Sequence, residues 1–296
     1  MNFSYPFSGL GVALITPFDK EGRIDWTALS NVVESLIAGK VDFLCVLGTT
    51  AETPTLSKEE RMQVLQHVIR QNNGRIPIMA GCSGNCTATA VNDIKEYQID
   101  GVDGILSCVP FYNKPSQEGI YRHFSALAKA SSKPIILYNI PGRTGVNMSV
   151  DTCMRIVREN PNVIGVKEAS GNMDQIRETI ARAPENFKVI IGDDSLAMQA
   201  IKDGAVGVIS VVGNAMPKSF GQMIHYCMEG DFAKAQPIQD KFAPVYSLLF
   251  KEGSPCGIKD LMASRNMIEN VTRLPLVPVS DQLHRQIVEG FKDIAE

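Results

Sequence analysis

Residues 134–168 read PIILYNIPGRTGVNMSVDTCMRIVRENPNVIGVKE, and they carry the pattern on which the rest of the architecture depends. Two short apolar runs, Pro134–Tyr138 and Val163–Lys167, flank a helical pattern at Ser149–Arg158. Each run is almost continuously hydrophobic, which is typical of a strand that is buried on both faces of a parallel sheet. The stretch therefore predicts a strand, a helix and a second strand parallel to the first.

The same kind of apolar run recurs along the chain, and helical patterns separate the runs. The predicted strands are Leu10–Thr16, Phe43–Leu47, Ile76–Ala80, Gly104–Val109, Pro134–Tyr138, Val163–Lys167, Lys188–Ile191 and Val206–Val212. The predicted helices are Trp26–Ala38, Ser57–Ile69, Thr87–Tyr97, Gln117–Ala130, Ser149–Arg158, Met173–Ala183 and Leu196–Asp203. This alternation predicts an α/β fold, a (β/α)8 TIM barrel over residues 1–230.

Beyond residue 230 the chain shows helical patterns without further strand-like runs. These patterns are Phe232–Leu249, Ile258–Met267 and Asp281–Ile294. We therefore expect residues 231–296 to form a C-terminal helical domain. The rival architecture, a doubly wound open sheet, usually has a glycine-rich phosphate-binding turn after its first strand. Here Pro17-Phe18-Asp19 follows the first run, which favours the barrel.

Composition and charge exclude several functional classes. The formal net charge is -3, so no strong field attracts nucleic acid or an acidic membrane. No uninterrupted apolar stretch has the length of a membrane span, and the N-terminal MNFSYPFSGL lacks the basic and apolar regions of a signal peptide. Seven cysteines, an odd number, argue against a disulfide framework and fit a reducing compartment. We expect a cytoplasmic protein.

Polar residues with reactive groups follow five of the predicted strands. They occupy Gly48–Glu52, Pro110–Asn113, Tyr138–Arg143, Lys167-Glu168 and Gly192–Ser195. In a TIM barrel the carboxyl ends of all strands meet at one face, and active sites are found there. The sequence therefore predicts that these five segments build one site.

Lys167 is the most informative of these residues. It ends an apolar strand, so we expect its amine to be partly desolvated. Burial favours the neutral form of a lysine, and only the neutral amine attacks a carbonyl carbon. Tyr138 ends the neighbouring strand, and a phenol beside an amine can transfer protons during imine formation. Taken singly, the two are more simply explained as a solvent-reaching lysine and a half-buried tyrosine.

The other polar residues also have simpler explanations when each is taken alone. Thr49 and Thr50 could bring hydroxyls into a site or only shape a turn. Arg143 could bind a carboxylate through two hydrogen bonds or lie at the surface. Asp193 and Asp194 could act as paired acids, but we expect them to cap the helix that follows.

The four histidines do not belong to this group. His67, His123, His225 and His284 all fall in helical patterns and none lies at a strand end, so a histidine-based triad or a metal centre has little support. A nucleotide-binding Walker loop is absent from the sequence. Lysine imine chemistry needs neither a metal nor a nucleotide, and it is therefore a natural candidate.

Four motifs together resemble those of one superfamily. They are GTTAE at Gly48–Glu52, YNIPGRTG at Tyr138–Gly145, GVKEASG at Gly165–Gly171 and GDDS at Gly192–Ser195. Through them the chain, from about Gly9 to its C-terminus, resembles the pyruvate-dependent class I aldolases, which include the dihydrodipicolinate synthases and the N-acetylneuraminate lyases. The resemblance implies a TIM-barrel lyase that forms a Schiff base with pyruvate. It also implies that no cofactor is needed, because the imine forms with the substrate itself.

The resemblance implies a role for each site residue. Lys167 would be the Schiff-base lysine, and Tyr138 the general acid and base. Thr49 would relay protons between Tyr138 and a second tyrosine, Tyr112, which in the family enters the active site of a neighbouring subunit. Thr50 would hold the pyruvate carboxylate.

The remaining implied roles concern substrate binding and assembly. Gly192 and the backbone around Ile209 would help to bind pyruvate, and Arg143 would bind the carboxylate of L-aspartate 4-semialdehyde. The pair Thr49-Thr50 and Arg143 match the synthase branch, whose members join these two substrates and close a ring at the entry to diaminopimelate and lysine biosynthesis. Family members are usually homotetramers built as dimers of dimers, and we expect the same assembly here.

Two alternatives stay open. The first is another pyruvate-dependent aldolase, such as an N-acetylneuraminate lyase or a keto-deoxy-sugar aldolase. The second belongs to a different class, a catalytically silent barrel that binds a small acid as a sensor. The presence of Lys167, Tyr138, Thr49 and Tyr112 together argues against the second alternative.

Some positions depart from the family pattern. Ala51 stands where glycine is common, and alanine would be slightly strained if the position needs a positive φ. The positions that match the family's lysine-feedback site depart at Lys58, Arg61, Thr89 and Phe111. A bound lysine needs an anion for its ammonium groups. Lys58 and Arg61 add positive charge at this site, and Thr89 stands where feedback-sensitive members have an acid. We therefore expect lysine to inhibit this protein weakly or not at all.

Overall fold

The structure is a computed structural model, and it describes residues 5–296. Eight parallel strands follow one another in chain order around a closed barrel, and the last strand pairs with the first. The strands are β1 (Gly9–Ala13), β2 (Phe43–Val46), β3 (Ile78–Gly81), β4 (Gly104–Cys108), β5 (Ile135–Asn139), β6 (Val163–Glu168), β7 (Lys188–Ile191) and β8 (Gly207–Ser210). The predicted α/β fold, a (β/α)8 TIM barrel, is confirmed.

Twelve α-helices accompany the strands in residues 5–296. They are α1 (Trp26–Ala38), α2 (Lys58–Asn72), α3 (Thr87–Tyr97), α4 (Gln117–Ala130), α5 (Pro141–Thr144), α6 (Val150–Glu159), α7 (Met173–Arg182), α8 (Ala197–Lys202), α9 (Pro217–Met228), α10 (Phe232–Phe242), α11 (Cys256–Ser264) and α12 (Asp281–Phe291). Ser57 caps α2 through a capping box with Glu60. Among these helices of residues 5–296, none combines the length and the apolar character needed to cross a membrane.

One predicted helix is divided in the structure. The pattern at Phe232–Leu249 gives a helix that ends at Phe242, followed by a separate 3-10 turn at Tyr246–Leu249. Pro244 lies between the two pieces. A proline has no backbone N–H, so Pro244 cannot donate the hydrogen bond that would continue the helix, and the helix ends before it.

The interior of the barrel is filled by side chains. Phe7 and Phe43 are fully buried there, and their ring centroids lie 5.3 Å apart. Gly11 leaves room for the Phe43 ring, since a Cβ on that glycine would come within 2.1 Å of it. A larger apolar core fills the space between the strands and the helices. The packed interior leaves the ends of the strands as the place for a ligand site.

The helices after residue 230 are attached to the barrel through aromatic packing. Phe242 of α10 lies 5.4 Å from Phe220 of α9 and 6.5 Å from Phe291 of α12, measured between ring centroids. All three rings are buried. The division into a barrel over 1–230 and a helical domain over 231–296 stays a prediction.

Candidate active site

Lys167 and Tyr138 stand side by side at the carboxyl ends of adjacent strands. The register of β5 and β6 pairs Tyr138 with Lys167. The lysine Nζ lies 4.5 Å from the centroid of the tyrosine ring. Both residues are only 6% exposed. An amine held against a tyrosine ring and largely out of water is suited to nucleophilic attack, and a phenol is a group that can donate and accept protons during such a reaction.

Lys167 lines a small cavity of about 50 Å³ at this end of the barrel. The polar part of its wall comes from four further segments of the chain and contains Gly48, Thr49, Thr50, Arg143, Gly192 and Ser254. The apolar part contains Ala13, Leu106, Val211 and Phe250. The structure thus brings together most of the residues that the sequence predicted for the site.

Gly192 makes room for the lysine side chain. A Cβ at this position would lie 2.6 Å from Cε of Lys167 and 2.8 Å from Cβ of Ala169. Any side chain at 192 would therefore push the amine away from its position beside Tyr138. This close packing is a physical reason for a glycine at position 192, which the sequence predicts to be a site residue.

Lys167 differs from the other buried lysine of the chain. Lys259 is fully buried and forms an ion pair with the carboxylate of Glu52. Within residues 5–296, Lys167 takes part in no such ion pair, although Glu168 follows it directly in sequence. An amine without a carboxylate partner has no salt bridge to break before it reacts. Of the two buried lysines, Lys167 is the one that borders a cavity.

A cysteine also lines the small cavity. Burial raises the pKa of the Cys45 thiol to about 11, although the nearby Lys167 opposes this shift. The thiol is therefore protonated near neutral pH and is a weak nucleophile. Cys45 does not compete with the lysine for an electrophile in this cavity.

The turn after β2 carries the two threonines. Thr49, Thr50 and Ala51 form one turn of 3-10 helix, in which Thr49 is exposed and Thr50 is buried. The left-handed conformation falls on Glu52, with φ of 53°, and not on Ala51. Alanine is therefore unstrained at position 51, so the strain considered from the sequence does not arise.

Arg143 lies where the small cavity adjoins a larger one of about 340 Å³. Its side chain is exposed, and Nη2 donates to the carbonyl oxygen of Ser254 at 3.4 Å. Tyr138 and Thr49 line both cavities as well. The site thus consists of a small cavity around the Lys167 amine and a larger cavity beside it, with the Arg143 guanidinium at the border between the two.

Two predicted site residues lie outside both cavities. Tyr112 is 87% exposed, with φ of 71°, and it contributes to neither wall. Ile209 is fully buried inside the barrel, and the wall of the small cavity is formed instead by Val211, two residues further along. Within this single chain, Tyr112 is not brought to Lys167.

Glu168 and Asn139 were missed as supporting residues. Side chains of successive residues in a strand point to opposite faces, so Glu168 points away from the cavity that Lys167 lines. Its buried carboxylate accepts hydrogen bonds from Nδ2 of Asn139 at 3.1 Å, from Nε2 of Gln175 at 3.2 Å and from the backbone N–H of Ser170 at 2.8 Å. Because Asn139 follows Tyr138 directly, these bonds join the ends of the two strands that carry the reactive pair.

The capping role expected for the two aspartates holds for only one of them. Asp193 accepts a hydrogen bond from the backbone N–H of Ser195 at 2.9 Å and caps the turn that follows. Asp194 instead accepts from the N–H groups of Val211 at 3.0 Å and Val212 at 2.9 Å. Burial raises its pKa to about 6. The expectation for Asp194 was wrong, because only the fold shows that it faces the turn after β8.

This same contact explains why the last strand is shorter than predicted. The apolar run Val206–Val212 forms a strand only at Gly207–Ser210, and Val212–Asn214 turns into a short 3-10 helix. The Asp194 carboxylate binds the backbone at the start of that turn. It thereby places Val211 at the wall of the small cavity.

The histidines lie on helices, as predicted. They belong to α2, α4, α9 and α12 and are His67, His123, His225 and His284. Neither of the two cavities has a histidine among its lining residues. In the described part of the chain, no group of three or more His, Cys, Asp or Glu side chains is arranged to hold a metal ion.

A closed parallel barrel whose strand ends hold a buried lysine beside a tyrosine defines the class of Schiff-base-forming barrel lyases. The sequence model of the dihydrodipicolinate synthetase family matches residues 6–294. The 4-hydroxy-tetrahydrodipicolinate synthase of Phocaeicola vulgatus is 51% identical over 270 residues, 91% of this chain and 91% of that protein. The chain belongs to the dihydrodipicolinate synthetase family, and it is a lyase of the class I aldolase type.

Solved structures agree with this assignment. The crystal structure of dihydrodipicolinate synthase from Aquifex aeolicus matches with a TM-score of 0.93 at 40% identity and covers 97% of both chains. The chloride-inhibited dihydrodipicolinate synthase from Acinetobacter baumannii, complexed with pyruvate, matches with a TM-score of 0.94 at 38% identity. That match covers 97% of this chain and 98% of the other.

Proposed function

We propose that the protein is a 4-hydroxy-tetrahydrodipicolinate synthase, which joins pyruvate to L-aspartate 4-semialdehyde and closes the ring. The observation that carries the proposal is the pairing of Lys167 with Tyr138 in a small cavity that adjoins a larger one at Arg143. One cavity suits a small keto acid, and the other suits a second substrate with a carboxylate. Relatives that are about half identical over nearly the whole chain carry this name.

The first step is imine formation at Lys167. Its neutral Nζ attacks the ketone carbon of pyruvate, and the carbinolamine then loses water. The Tyr138 hydroxyl donates the proton that turns the departing oxygen into water, and Thr49 passes protons onward. Thr50 and the backbone at the end of β8 bind the pyruvate carboxylate, which directs the keto group to the amine. No cofactor takes part, because the substrate itself carries the imine.

The second step joins the two substrates. Loss of a proton from the methyl carbon converts the imine to an enamine, and this carbon attacks the aldehyde. Arg143 binds the carboxylate of the aldehyde substrate from the border of the larger cavity. The amino group of that substrate then attacks the imine carbon and displaces the Lys167 amine, which closes the ring and frees the enzyme.

The experiment that tests the proposal combines trapping with turnover. The protein is incubated with pyruvate and borohydride, and the modified peptide is located by mass spectrometry. We expect a single reduced adduct on Lys167, followed by steady-state turnover when aspartate semialdehyde is supplied in place of borohydride. An adduct without turnover would favour another aldehyde substrate, and a folded protein that forms no adduct would favour the sensor.

Arg143 separates the synthase from a sugar aldolase. We expect Arg143→Ala to lower kcat/KM for aspartate semialdehyde by roughly 10- to 150-fold, because a hydrogen bond to a charged group contributes about 1.5–3 kcal/mol. Trapping of pyruvate should persist, since the arginine is assigned to the other substrate. The matched control is Arg122→Ala, which removes an exposed arginine that is paired with Glu118 on α4. Equal losses in both variants, or sugar turnover that exceeds semialdehyde turnover, would favour the sugar aldolase.

Inhibition by lysine is expected to be weak. Lys58 and Arg61 place two cations at the positions of the family's feedback site, where Nζ of Lys58 lies 2.6 Å from Glu96 and Arg61 lies 4.0 Å from Asp93. Both nearby acids are therefore already paired, and a bound ammonium group would meet like charge. We expect half-inhibition only above about 1 mM lysine, which corresponds to binding of about 4 kcal/mol or less.

The measurement is the initial rate at saturating pyruvate over a series of lysine concentrations. A double variant, Arg61→His with Thr89→Glu, removes one cation and adds an acid, so it should become more sensitive than the parent. Half-inhibition of the parent far below about 1 mM would contradict the expectation.

An exposed Tyr112 with an unusual backbone conformation is what a residue that serves a neighbouring subunit would present in a single chain. We therefore propose a homotetramer, a dimer of dimers, in which Tyr112 completes the proton relay of another subunit. We place the protein in the cytoplasm, where its seven cysteines would stay reduced. Sedimentation analysis of the purified protein tests the assembly.

A further inference from the structure

A buried ion pair joins the C-terminal helices to the turn that carries the two threonines. Glu52 follows that turn directly, and Lys259 lies on α11. Both side chains are 0% exposed, and Nζ of Lys259 donates to Oε1 of Glu52. Nζ also donates to the carbonyl oxygen of Val271 at 3.0 Å. The lysine therefore lies between the β2 turn and the segment that follows α11.

Arg273 closes the same cluster from the other side. Its backbone N–H donates to Oε2 of Glu52 at 2.9 Å, so both carboxylate oxygens are bonded to the C-terminal segment. Its guanidinium donates to the carbonyl oxygens of Gly22 at 2.8 Å and Thr55 at 3.0 Å. It also makes two hydrogen bonds to the carboxylate of Glu60. Arg273 thus links the loop after β1, the loop after β2 and the C-terminal segment.

The ring of Phe18 lies against both cations. Nζ of Lys259 is 4.1 Å and Cζ of Arg273 is 4.5 Å from the ring centroid. Phe18 and the Glu52–Lys259 pair are fully buried, whereas the Arg273 side chain is partly exposed. Taking charges out of water is costly, and a buried ion pair is often no more stabilising than apolar side chains of the same size. Stability alone therefore does not explain the pair.

Glu52 connects the buried ion pair to the turn that carries Thr49 and Thr50. Glu52 is held in the left-handed conformation, and its N–H donates to the carbonyl oxygen of Thr49 at 3.1 Å. The hydroxyl of Thr16 donates to the carbonyl oxygen of Ala51 at 2.8 Å. A shift of Glu52 would be transmitted through this short turn to Thr49 and Thr50, which line the cavity of Lys167.

We infer that the C-terminal helices are part of the catalytic apparatus, because the Glu52–Lys259 pair and Arg273 fix the turn that presents Thr49 and Thr50 to the substrate. Glu52, Lys259 and Arg273 are positioning residues that act through that turn. The inference rests on the proposed function, since it assigns these residues to the reaction begun at Lys167. It also implies that residues 231–296 do not form an independent unit.

The test separates positioning from stability by removing both charges together. Lys259→Met alone leaves a buried carboxylate without its cation and should lower Tm strongly. Glu52→Gln combined with Lys259→Met removes both charges of the pair and should restore most of the Tm. The double variant should still lose roughly 10- to 100-fold in kcat, because a displacement of about 1 Å near reacting groups has effects of this size. KM for pyruvate should rise, since Thr50 is displaced.

A second readout does not depend on the aldehyde substrate. The rate at which borohydride traps pyruvate on Lys167 should fall in the double variant, while the adduct stays at position 167. If the parent protein traps pyruvate but does not turn over the semialdehyde, the proposed function fails and the trapping rate still tests the positioning role. Lys292→Met is the matched control, because it removes a lysine from an exposed pair with Glu289 and should leave both rates unchanged.

Arg273→Gln keeps the test decisive should the double variant fail to fold. This side chain is partly exposed, so its loss is tolerated better, and we expect a smaller decrease of the same two rates. A folded double variant, or Arg273→Gln in its place, that keeps parental kcat, parental KM and parental trapping rate would overturn the inference and leave the cluster with a stabilising role only.

Discussion

Substitution of Lys167 by alanine should abolish the borohydride-trapped pyruvate adduct and lower turnover by at least about 10⁴-fold, the scale seen when a catalytic nucleophile is deleted. The physical reason is that Lys167 is the buried amine that borders the small cavity. The other buried lysine, Lys259, is enclosed by its ion pair with Glu52. No other side chain lining the small cavity can form an imine.

The matched control for this prediction is Lys188→Ala. Lys188 lies on the adjacent strand β7, and its Nζ donates to the carbonyl oxygen of Glu185 at 2.8 Å. It should keep both the adduct and the turnover of the parent. A folded Lys167→Ala variant that still turns over substrate, or an adduct at any other lysine, would show that the proposed mechanism is wrong.

Replacing Tyr138 by phenylalanine has the second largest expected effect. The ring is kept, and with it the contact to the Lys167 amine at 4.5 Å, but the hydroxyl that transfers protons is lost. We expect kcat to fall by roughly 10²- to 10⁴-fold, the usual contribution of a positioned acid or base. Trapping should become slower and remain on Lys167, because the amine is still present and in place.

Tyr246→Phe provides the control. Tyr246 is also buried, and its hydroxyl donates to Oε1 of Gln239 at 2.9 Å on the side of the C-terminal helices. Its loss should change stability and leave kcat unaltered within about twofold. If Tyr138→Phe were equally harmless, proton transfer would have to come from another group, and the role given to this hydroxyl would be withdrawn.

Much of the architecture followed from local patterns. The eight apolar runs became the eight strands in the predicted order, and α1, α3 and α4 have the predicted bounds. Errors concentrated at element ends, such as Val206–Val212 and Phe232–Leu249. The end of β8 depends on the carboxylate of Asp194, which is distant in sequence, and the end of α10 depends on Pro244.

The site was predictable for the residues that end strands. Lys167, Tyr138 and the Thr49–Thr50 turn meet because the carboxyl ends of parallel strands lie at one face of a barrel. Their supporting residues were not predictable in the same way. The sequence Lys167-Glu168 does not say which of the two side chains faces the cavity, and the pair Asp193-Asp194 does not say which one caps the following turn.

The amino-acid sequence by itself determined the order of strands and helices and the residues that end the strands. Hydrophobic periodicity and turn-forming residues act over a few neighbouring positions, so they can be read locally. Only the tertiary structure decided which side chains and backbone groups that are distant in sequence come into contact. Glu52 and Lys259 are 207 residues apart, and Asp194 binds backbone N–H groups 17 and 18 residues away. Such pairings arise only when the barrel closes and the C-terminal helices pack on it, since no local pattern states which buried carboxylate will face which cation.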